Sequence, residues 1–250
     1  MGKIKRRHVR SKLAVSYMLL ETPETAEYVP DTRLLFKQSL NEMLEAYSEV
    51  YIKPDKGVQG IGILRVVKKA EDRFVIRSNS YKAVCYDFDT LWGLLSKLTY
   101  GSRYVIQKAI RSTTSSGAPF DIRIHVFRID GKWRSGVMYG RVDSPGKVTT
   151  NVKQGGTSVL MESLFEEHLQ YNEKRKRDML KNLSKCAESI AETVNGMYPP
   201  LREYGIDVGI DKNGRLWIYE VNIAPMAPDA VIEGDESVYA RYWEIKNLSS

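Results

Sequence analysis

A chain of 250 residues can bury a substantial core, as one large domain or as two small lobes. Its 42% hydrophobic and 28% charged residues argue against disorder. The two cysteines, Cys85 and Cys186, stand far apart in neither a CxxC nor a His-rich setting, which argues against a disulfide or zinc site and fits a reducing cytoplasm.

The formal net charge of +7 sits largely in the first twelve residues, MGKIKRRHVRSK, and in Lys174-Arg175-Lys176-Arg177. The second run lies in a helical pattern and reads as a solvated outer face, so a nucleic-acid surface is not expected. No apolar run approaches the roughly 18 to 20 residues that cross a bilayer. No apolar stretch follows the basic start either, so neither a membrane span nor a signal peptide is expected.

In chain order, Leu35, Leu40, Met43, Leu44 and Tyr47 predict an amphipathic helix over 32–48. A strand at 50–53 enters a glycine-rich turn, and strands follow near 63–67, 74–77 and 82–86. A short helix is expected over 89–98 and a strand over 104–107. The stretch RSTTSSGAP reads as a loop. Two long strands, 120–129 and 133–142, meet at Asp130-Gly131, a favoured hairpin turn. One long helical pattern covers about 162–197, with Leu164, His168, Tyr171, Leu180, Leu183, Ala187, Ile190 and Ala191 in step. A last hairpin, 206–211 with 216–222, turns at Asn213-Gly214. Strand clusters interspersed with helices and joined by hairpins predict an α+β fold with largely antiparallel sheets rather than a Rossmann fold.

The last hairpin carries the clearest chemistry. A two-residue turn at Asn213-Gly214 pairs Lys212 with Arg215 and sets Asp207 directly opposite Glu220, with Asn222 on the same face. Two carboxylates across a sheet repel unless a cation lies between them, the alternative being that both face open water. With only oxygen donors present, the expected occupant is a hard ion, Mg²⁺ or Mn²⁺. Trp217, Tyr219 and Val221 alternate onto the other face and predict that it is covered.

In YIKPDKGVQGIGILRV, Lys53 precedes Gly57, Gly60 and Gly62. This is no P-loop, because no Lys-Ser/Thr follows and no helix begins there. Glycines between two strands let backbone N–H groups approach an anion, and Lys53 adds positive charge for α- and β-phosphates. Alone this is more often only a turn; beside the acidic hairpin it becomes a candidate Mg-nucleotide site.

SKLAVSYMLL, VPDTRLL, YIKPDKGVQGIGI, YVIQKAI, PFDIRIHV, VTTNVKQGG and GIDVGIDKNGRLWIYEVNIAP follow one another between about Ser11 and Pro228. In that order and spacing they resemble the ATP-grasp superfamily. The likeness is nearest to the spore-coat-associated YheC/YheD-type proteins, with the ribosomal-protein glutamate ligases more distant. The resemblance implies two α+β lobes gripping ATP: a basic segment and helix over 1–30, a first lobe over 31–106, a second over 107–230 and a C-terminal helix over 231–250. It also implies that Lys53 binds phosphate, that Gly57 to Gly62 form a mobile flap, and that Gln107, Lys108, Ala109 and Ile110 form the hinge strand meeting adenine. Lys108 stands where the family often has an acid. Arg123 and Arg141 resemble the arginines that steady the transferring phosphate. Asn151 falls where the family has an asparagine near the reaction centre, and Asp207, Glu220 and Asn222 match the magnesium ligands. A plain turn at Asp130-Gly131, however, puts Arg123 and Arg141 on opposite faces, so a bulge or longer turn is needed to unite them.

The activity implied is an ATP-dependent, ADP-forming carboxylate–amine ligase acting through an acyl phosphate on small-molecule or peptide substrates, an amino acid among them. The alternatives are a non-catalytic nucleotide-binding coat or assembly protein, and an ATP-grasp kinase. The setting implied is cytoplasmic or spore-associated. Members of the superfamily usually carry a further domain before the first lobe that helps bind the acceptor. Only about thirty residues precede VPDTRLL, too few for an α/β domain. A partner protein, a second subunit or the basic residues Lys3, Lys5, Arg6, Arg7 and Arg10 are expected to supply that surface, the last favouring an acidic acceptor.

Overall fold

The computed structural model describes residues 11–57, 60–70, 72–145, 156–197 and 201–249. Asn151 and the basic residues before Ser11 lie outside them. Two antiparallel sheets enclose a cleft. The first contains β1 (Thr32–Leu34), β2 (Glu49–Pro54), β3 (Leu64–Ala70), β4 (Arg73–Arg77), β5 (Lys82–Cys85) and β6 (Tyr104–Lys108), in the order β1-β6-β2-β3-β4-β5. One face is covered by α3 (Lys37–Tyr47) and α4 (Phe88–Leu98). Leu40, Met43 and Leu44 pack there with Leu91, Leu95, Val50, Ile52 and Ile106. Because strand side chains alternate, burying Val50 and Ile52 under the helices turns Tyr51 and Lys53 to the other face.

The helix predicted from residue 32 begins five residues later. Thr32, Arg33 and Leu34 instead pair with β6 as an edge strand, and the Ser39 hydroxyl accepts the Phe36 N–H at 2.9 Å, fixing the helix start. Ser48, at φ 56°, ends the helix in the left-handed region.

The second sheet contains β7 (Phe120–Ile129), β8 (Lys132–Val142), β9 (Thr157–Val159), β10 (Glu203–Ile210) and β11 (Leu216–Asn222), in the order β11-β10-β7-β8-β9. Ile122, Ile124 and Val126 of β7 and Ile206, Val208 and Ile210 of β10 bury one face under α6 (Glu173–Asn195). Leu19 of α1 (Lys12–Glu21), a helix followed by the short α2 (Pro23–Ala26), joins this core. The opposite alternation turns Arg123 and Asp207 to the cleft face. At the far end of that face α7 (Ser237–Leu248) packs Tyr242 and Ile245 on Phe127 and Val137. No described helix is long and apolar enough to cross a membrane.

The long helix predicted over 162–197 is broken. A short α5 (Met161–Ser163) runs into a π-helical turn, Leu164–His168, and Gln170 at φ 55° reverses the chain. Asn172 then caps α6 by accepting the Arg175 N–H at 2.9 Å. Tyr171 leaves the helical pattern to stack on Phe165, centroids 5.6 Å apart. In the basic run Lys174, Arg175 and Arg177 are exposed as expected, but Lys176 is buried beneath Glu162, Glu166 and Glu173.

Two β-bulges decide which side chains reach the cleft. Asp130 and Gly131 form the two-residue turn, both at positive φ, and the pairing runs regularly from Ile129↔Lys132 to Val126↔Ser135. One additional residue in β8 then shifts the register, so that Arg123 lies opposite Tyr139 and Asp121 opposite Arg141. Both arginines thereby face the cleft. The bulge is packed tightly: a Cβ on Gly136 would lie 2.6 Å from the buried Phe127 ring. Gly136→Ala is therefore expected to cost about 1–3 kcal/mol, from overpacking against a ring that cannot move away. It should lower the urea midpoint without changing the slope.

The last hairpin reaches its predicted pairing by a different route. The turn is a three-residue loop, Lys212-Asn213-Gly214, closed by Asp211 N–H to the Arg215 carbonyl at 3.0 Å. The Asp211 carboxylate accepts the Asn213 and Arg215 N–H groups at 2.8 and 3.1 Å. Pairing starts one residue out of the expected register, with Ile210↔Leu216, and a bulge at Tyr219 restores it to Asp207↔Glu220 and Gly205↔Asn222. The two departures cancel at the acids but not beside them. Trp217 lies opposite Gly209 and Tyr219 reaches over it, so both share the acids' face, whereas Val221 packs on the core. A Cβ on Gly209 would lie 2.2 Å from the Tyr219 hydroxyl, so only glycine leaves room for that ring.

Candidate active site

The two sheets line a cavity of about 680 Å³. Lys53 enters from β2 and is only 9% exposed. Its ammonium donates to Gln107 Oε1 at 2.6 Å, and Gln107 Nε2 donates to Thr32 Oγ1 at 2.8 Å. The rings of Tyr51 and Tyr219 lie 5.5 and 5.9 Å from the ammonium. Burial pushes the Lys53 pKa down to about 8, against the upward pull of Glu220 and Asp207. Above it, Gly57 and Gly60 line the cavity, whereas Gly62 at φ 75° shapes the turn against Pro54 and Tyr104.

Of the expected hinge residues, Gln107, Lys108 and Ile110 line the cavity and Ala109 does not. The N–H groups of Lys108 and Ala109 already donate to the carbonyls of Asp31 and Glu49, at 2.8 and 3.2 Å. The Lys108 ammonium rests between the rings of Tyr47 and Trp217, 5.0 and 5.1 Å from their centroids. Glu49 beside the hinge binds Arg65 at 2.7 Å and also Arg111.

The facing wall carries the acids. Asp207 accepts from both Arg123 and Arg141, from Arg123 Nη2 at 3.1 Å and Arg141 Nη2 at 3.0 Å. Arg141 is held from its other side by Asp121, at 2.6 and 2.8 Å. Burial pushes the Asp207 carboxyl up, but the two guanidiniums outweigh it and hold the pKa at about 2. Asn222 Nδ2 lies 3.4 Å from Asp207. Glu220 pairs with the Lys12 ammonium at 3.1 Å, and Lys12 also donates to the Gly57 carbonyl at 2.9 Å. The protein's own cations thus offset much of the repulsion between the opposed acids.

Asp207, Glu220 and Asn222 bring oxygen donors together on one wall, and Glu220 is partly open to the cavity. That donor set fits Mg²⁺ or Mn²⁺, and these three residues would hold it. The trio Glu162, Glu166 and Glu173 is committed to Lys176 instead. Among described residues, seven cationic and five acidic side chains line the cavity, an excess that suits a polyanion.

Lys12, Glu49, Arg65 and Arg111 were not singled out from the sequence. Arg65 was within reach, because it pairs with Tyr51 on the face that carries Lys53. Lys12 arrives from the start of α1, a helix outside both sheets and far from the acids in sequence, and no local pattern announces it.

Two antiparallel sheets closing on a cleft, a lysine and glycine turn on one and an acid–arginine wall on the other, define the ATP-grasp fold. The crystal structure of VanG D-Ala:D-Ser ligase from Enterococcus faecalis superposes with a TM-score of 0.53 at 14% identity, over 87% of this chain and 53% of that one. The chain belongs to the YheC/D-like ATP-grasp family, whose profile matches residues 3–244. It is 26% identical to endospore coat-associated protein YheD of Bacillus subtilis (strain 168) over 222 residues, 86% of this chain and 48% of YheD. To YheC of the same strain it is 22% identical over 202 residues, 79% of this chain and 55% of YheC. The chain thus spans about half the length of the curated relatives it matches.

Proposed function

We propose that this chain is an ADP-forming carboxylate–amine ligase that uses ATP with Mg²⁺. The observation that carries the reading is the convergence of Lys53 with the Asp207–Glu220 pair and both cleft arginines on one cavity. A carboxylate is a poor electrophile. Its oxygen takes the γ-phosphoryl group of ATP and ADP leaves; an amine then attacks the acyl carbon, forming the amide and releasing phosphate and a proton. Bound Mg²⁺ supplies charge neutralisation at the phosphates. Lys53 offers a buried positive charge to the same phosphates, and Arg123 and Arg141, fixed by Asp207 and Asp121, point fixed donors at the transferring group. The lobes are taken as 31–106 and 107–230, although β6, astride that boundary, belongs to the first sheet.

The test is a screen of amino acids and peptides for stimulated ADP release, with mass spectrometry of the products. An acceptor-dependent rise in ADP matched by a condensed product is expected, together with acyl hydroxamate when hydroxylamine replaces the amine. ADP release with an alcohol and formation of its phosphate ester, without hydroxamate, would replace the ligase by a kinase.

A further inference from the structure

The second sheet orders the cleft from one edge to the other. Trp217 and Tyr219 of β11 face the hinge, where they meet Lys108 and Ser112. The acids follow on β11 and β10, Arg123 on β7 and Arg141 on β8. Beyond Arg141 comes β9, whose Ser158 is the direct pairing partner of Arg141. The far end of the cleft, past the arginines, is thus built from Tyr139, Ser158 and the chain that follows Asn222.

That chain runs across the strands. Pro225 crosses β10 so closely that a Cβ on Gly205 would lie 2.7 Å from it, and Ala227 packs into the cluster under α7. It reaches β9 at Asp229, where the buried Ser158 hydroxyl donates to Asp229 Oδ2 at 2.7 Å. Five carboxylates line the cavity among the described residues. Glu49 is paired with Arg65 and Arg111, Asp121 with Arg141, Asp207 with Arg123 and Arg141, and Glu220 with Lys12. Asp229 alone of the five has no cationic partner among the described residues, and its side chain is exposed to the cleft.

We infer that Asp229 is a specificity residue that receives the ammonium group of the substrate lying beyond the arginines, with Ser158 fixing the carboxylate's orientation. This rests on the ligase reading and names its substrate class: a molecule carrying a free ammonium besides its reacting carboxylate or amine, such as an amino acid or a peptide N-terminus. The electrostatic logic is direct. The arginines next to this end are balanced by Asp121 and Asp207, so an ammonium arriving there finds, among the described residues, one carboxylate not already committed to a cation, Asp229. Ser158 spends its hydroxyl on holding Asp229, so the carboxylate presents its other oxygen to the cleft without a rotamer search.

The test measures direct binding to the full chain in the presence of Mg²⁺ and a non-hydrolysable ATP analogue. The probes are short α- and ω-amino acids, each against the hydroxy acid of the same length. At least one amino acid should bind about tenfold or more tighter than its hydroxy counterpart, as expected for a charge-assisted hydrogen bond. Asp229→Asn should erase that preference, and Asp229→Glu should keep part of it. A merely structural Ser158–Asp229 link would shift both probe classes together. Equal binding of hydroxy acids, a preference that survives Asp229→Asn, or no amino acid binding to the analogue-loaded protein overturns the inference. Failure of the ATP analogue itself to bind overturns the nucleotide reading instead, and the ammonium preference is then read without nucleotide.

Discussion

Asp207→Asn should lose both Mg²⁺-dependent turnover and a large part of the protein's stability, whereas Glu220→Gln should lose turnover alone. From the sequence, removal of either acid relieves repulsion, so stability should hold or rise. The structure reverses that expectation for Asp207. It is buried between Arg123 and Arg141, and its loss leaves two buried guanidiniums with Asp121 as the remaining counter-ion. Removing one partner of a buried pair costs about 3 kcal/mol or more. For a chain of this size that is a fall in Tm of roughly 6 to 12 °C. Glu220 is a third exposed and, among the described residues, paired only with Lys12, a contact worth at most about 1 kcal/mol. The pH dependence has a definite sign. Because the Asp207 pKa is held at about 2, below its unfolded value, its contribution is present above about pH 4. It is lost as pH falls toward 2, when the unfolded chain takes up the proton first. Calorimetric scans across that range should show a steep acid limb in the wild type and a shallower one in Asp207→Asn. Normal acceptor-dependent ATP turnover in both variants would remove the metal assignment.

How much of this was legible in the sequence depends on distance along the chain. The hairpins, the antiparallel character and the buried faces of the long strands follow from period-2 alternation and Asp-Gly or Asn-Gly turns, which are local signals. Bulges are not local signals. Within Lys132–Val142 the glycines Gly136 and Gly140 mark places a bulge could take, but neither fixes it; the need for the additional residue that brings Arg141 beside Arg123 was visible because one cleft had to hold both. Residue alternation likewise placed Trp217 and Tyr219 behind the acids, because it cannot register a bulge inside the same strand. The break at Gln170 escaped for a related reason. Leu164 and Leu183 do face one core, but through two helical segments whose patterns happen to stay in phase.

The acid–acid pairing was right while its turn was wrong, since a three-residue loop and a one-residue bulge offset each other. What alternation cannot supply is the identity of the cations. Repulsion between Asp207 and Glu220 implied a positive charge nearby and pointed to a metal. Two arginines from β7 and β8 and a lysine from α1 already stand there, brought together only by tertiary packing. Any metal at these acids must therefore share Asp207 with Arg123 and Arg141 and compete with Lys12 for Glu220.

Lys53→Met should abolish most of the affinity for MgATP while making the nucleotide-free protein more stable. The ammonium is enclosed by Gln107, Tyr51 and Tyr219, and burial lowers its pKa to about 8. A lysine whose folded pKa lies below its unfolded one disfavours folding wherever it is charged. The penalty is full below about pH 8 and is relieved as pH rises toward 10.5, the unfolded chain holding the proton longer. The wild type should therefore gain stability over that interval, on the order of 2–3 kcal/mol from this group. Lys53→Met removes both the penalty and its pH dependence. Nucleotide binding has the opposite sign, since phosphates favour the ammonium: MgATP affinity should weaken as pH rises through about 8 in the wild type. Lys53→Arg keeps its charge across this range, so the inflection should vanish, but the wider guanidinium fork does not fit the compact contact with Gln107 and affinity should be only partly restored. Calorimetric titration of the three proteins with MgATP between pH 7 and about pH 9.5 brackets the wild-type transition. An affinity in Lys53→Met equal to that of the wild type would take Lys53 and its glycine turn out of the nucleotide site.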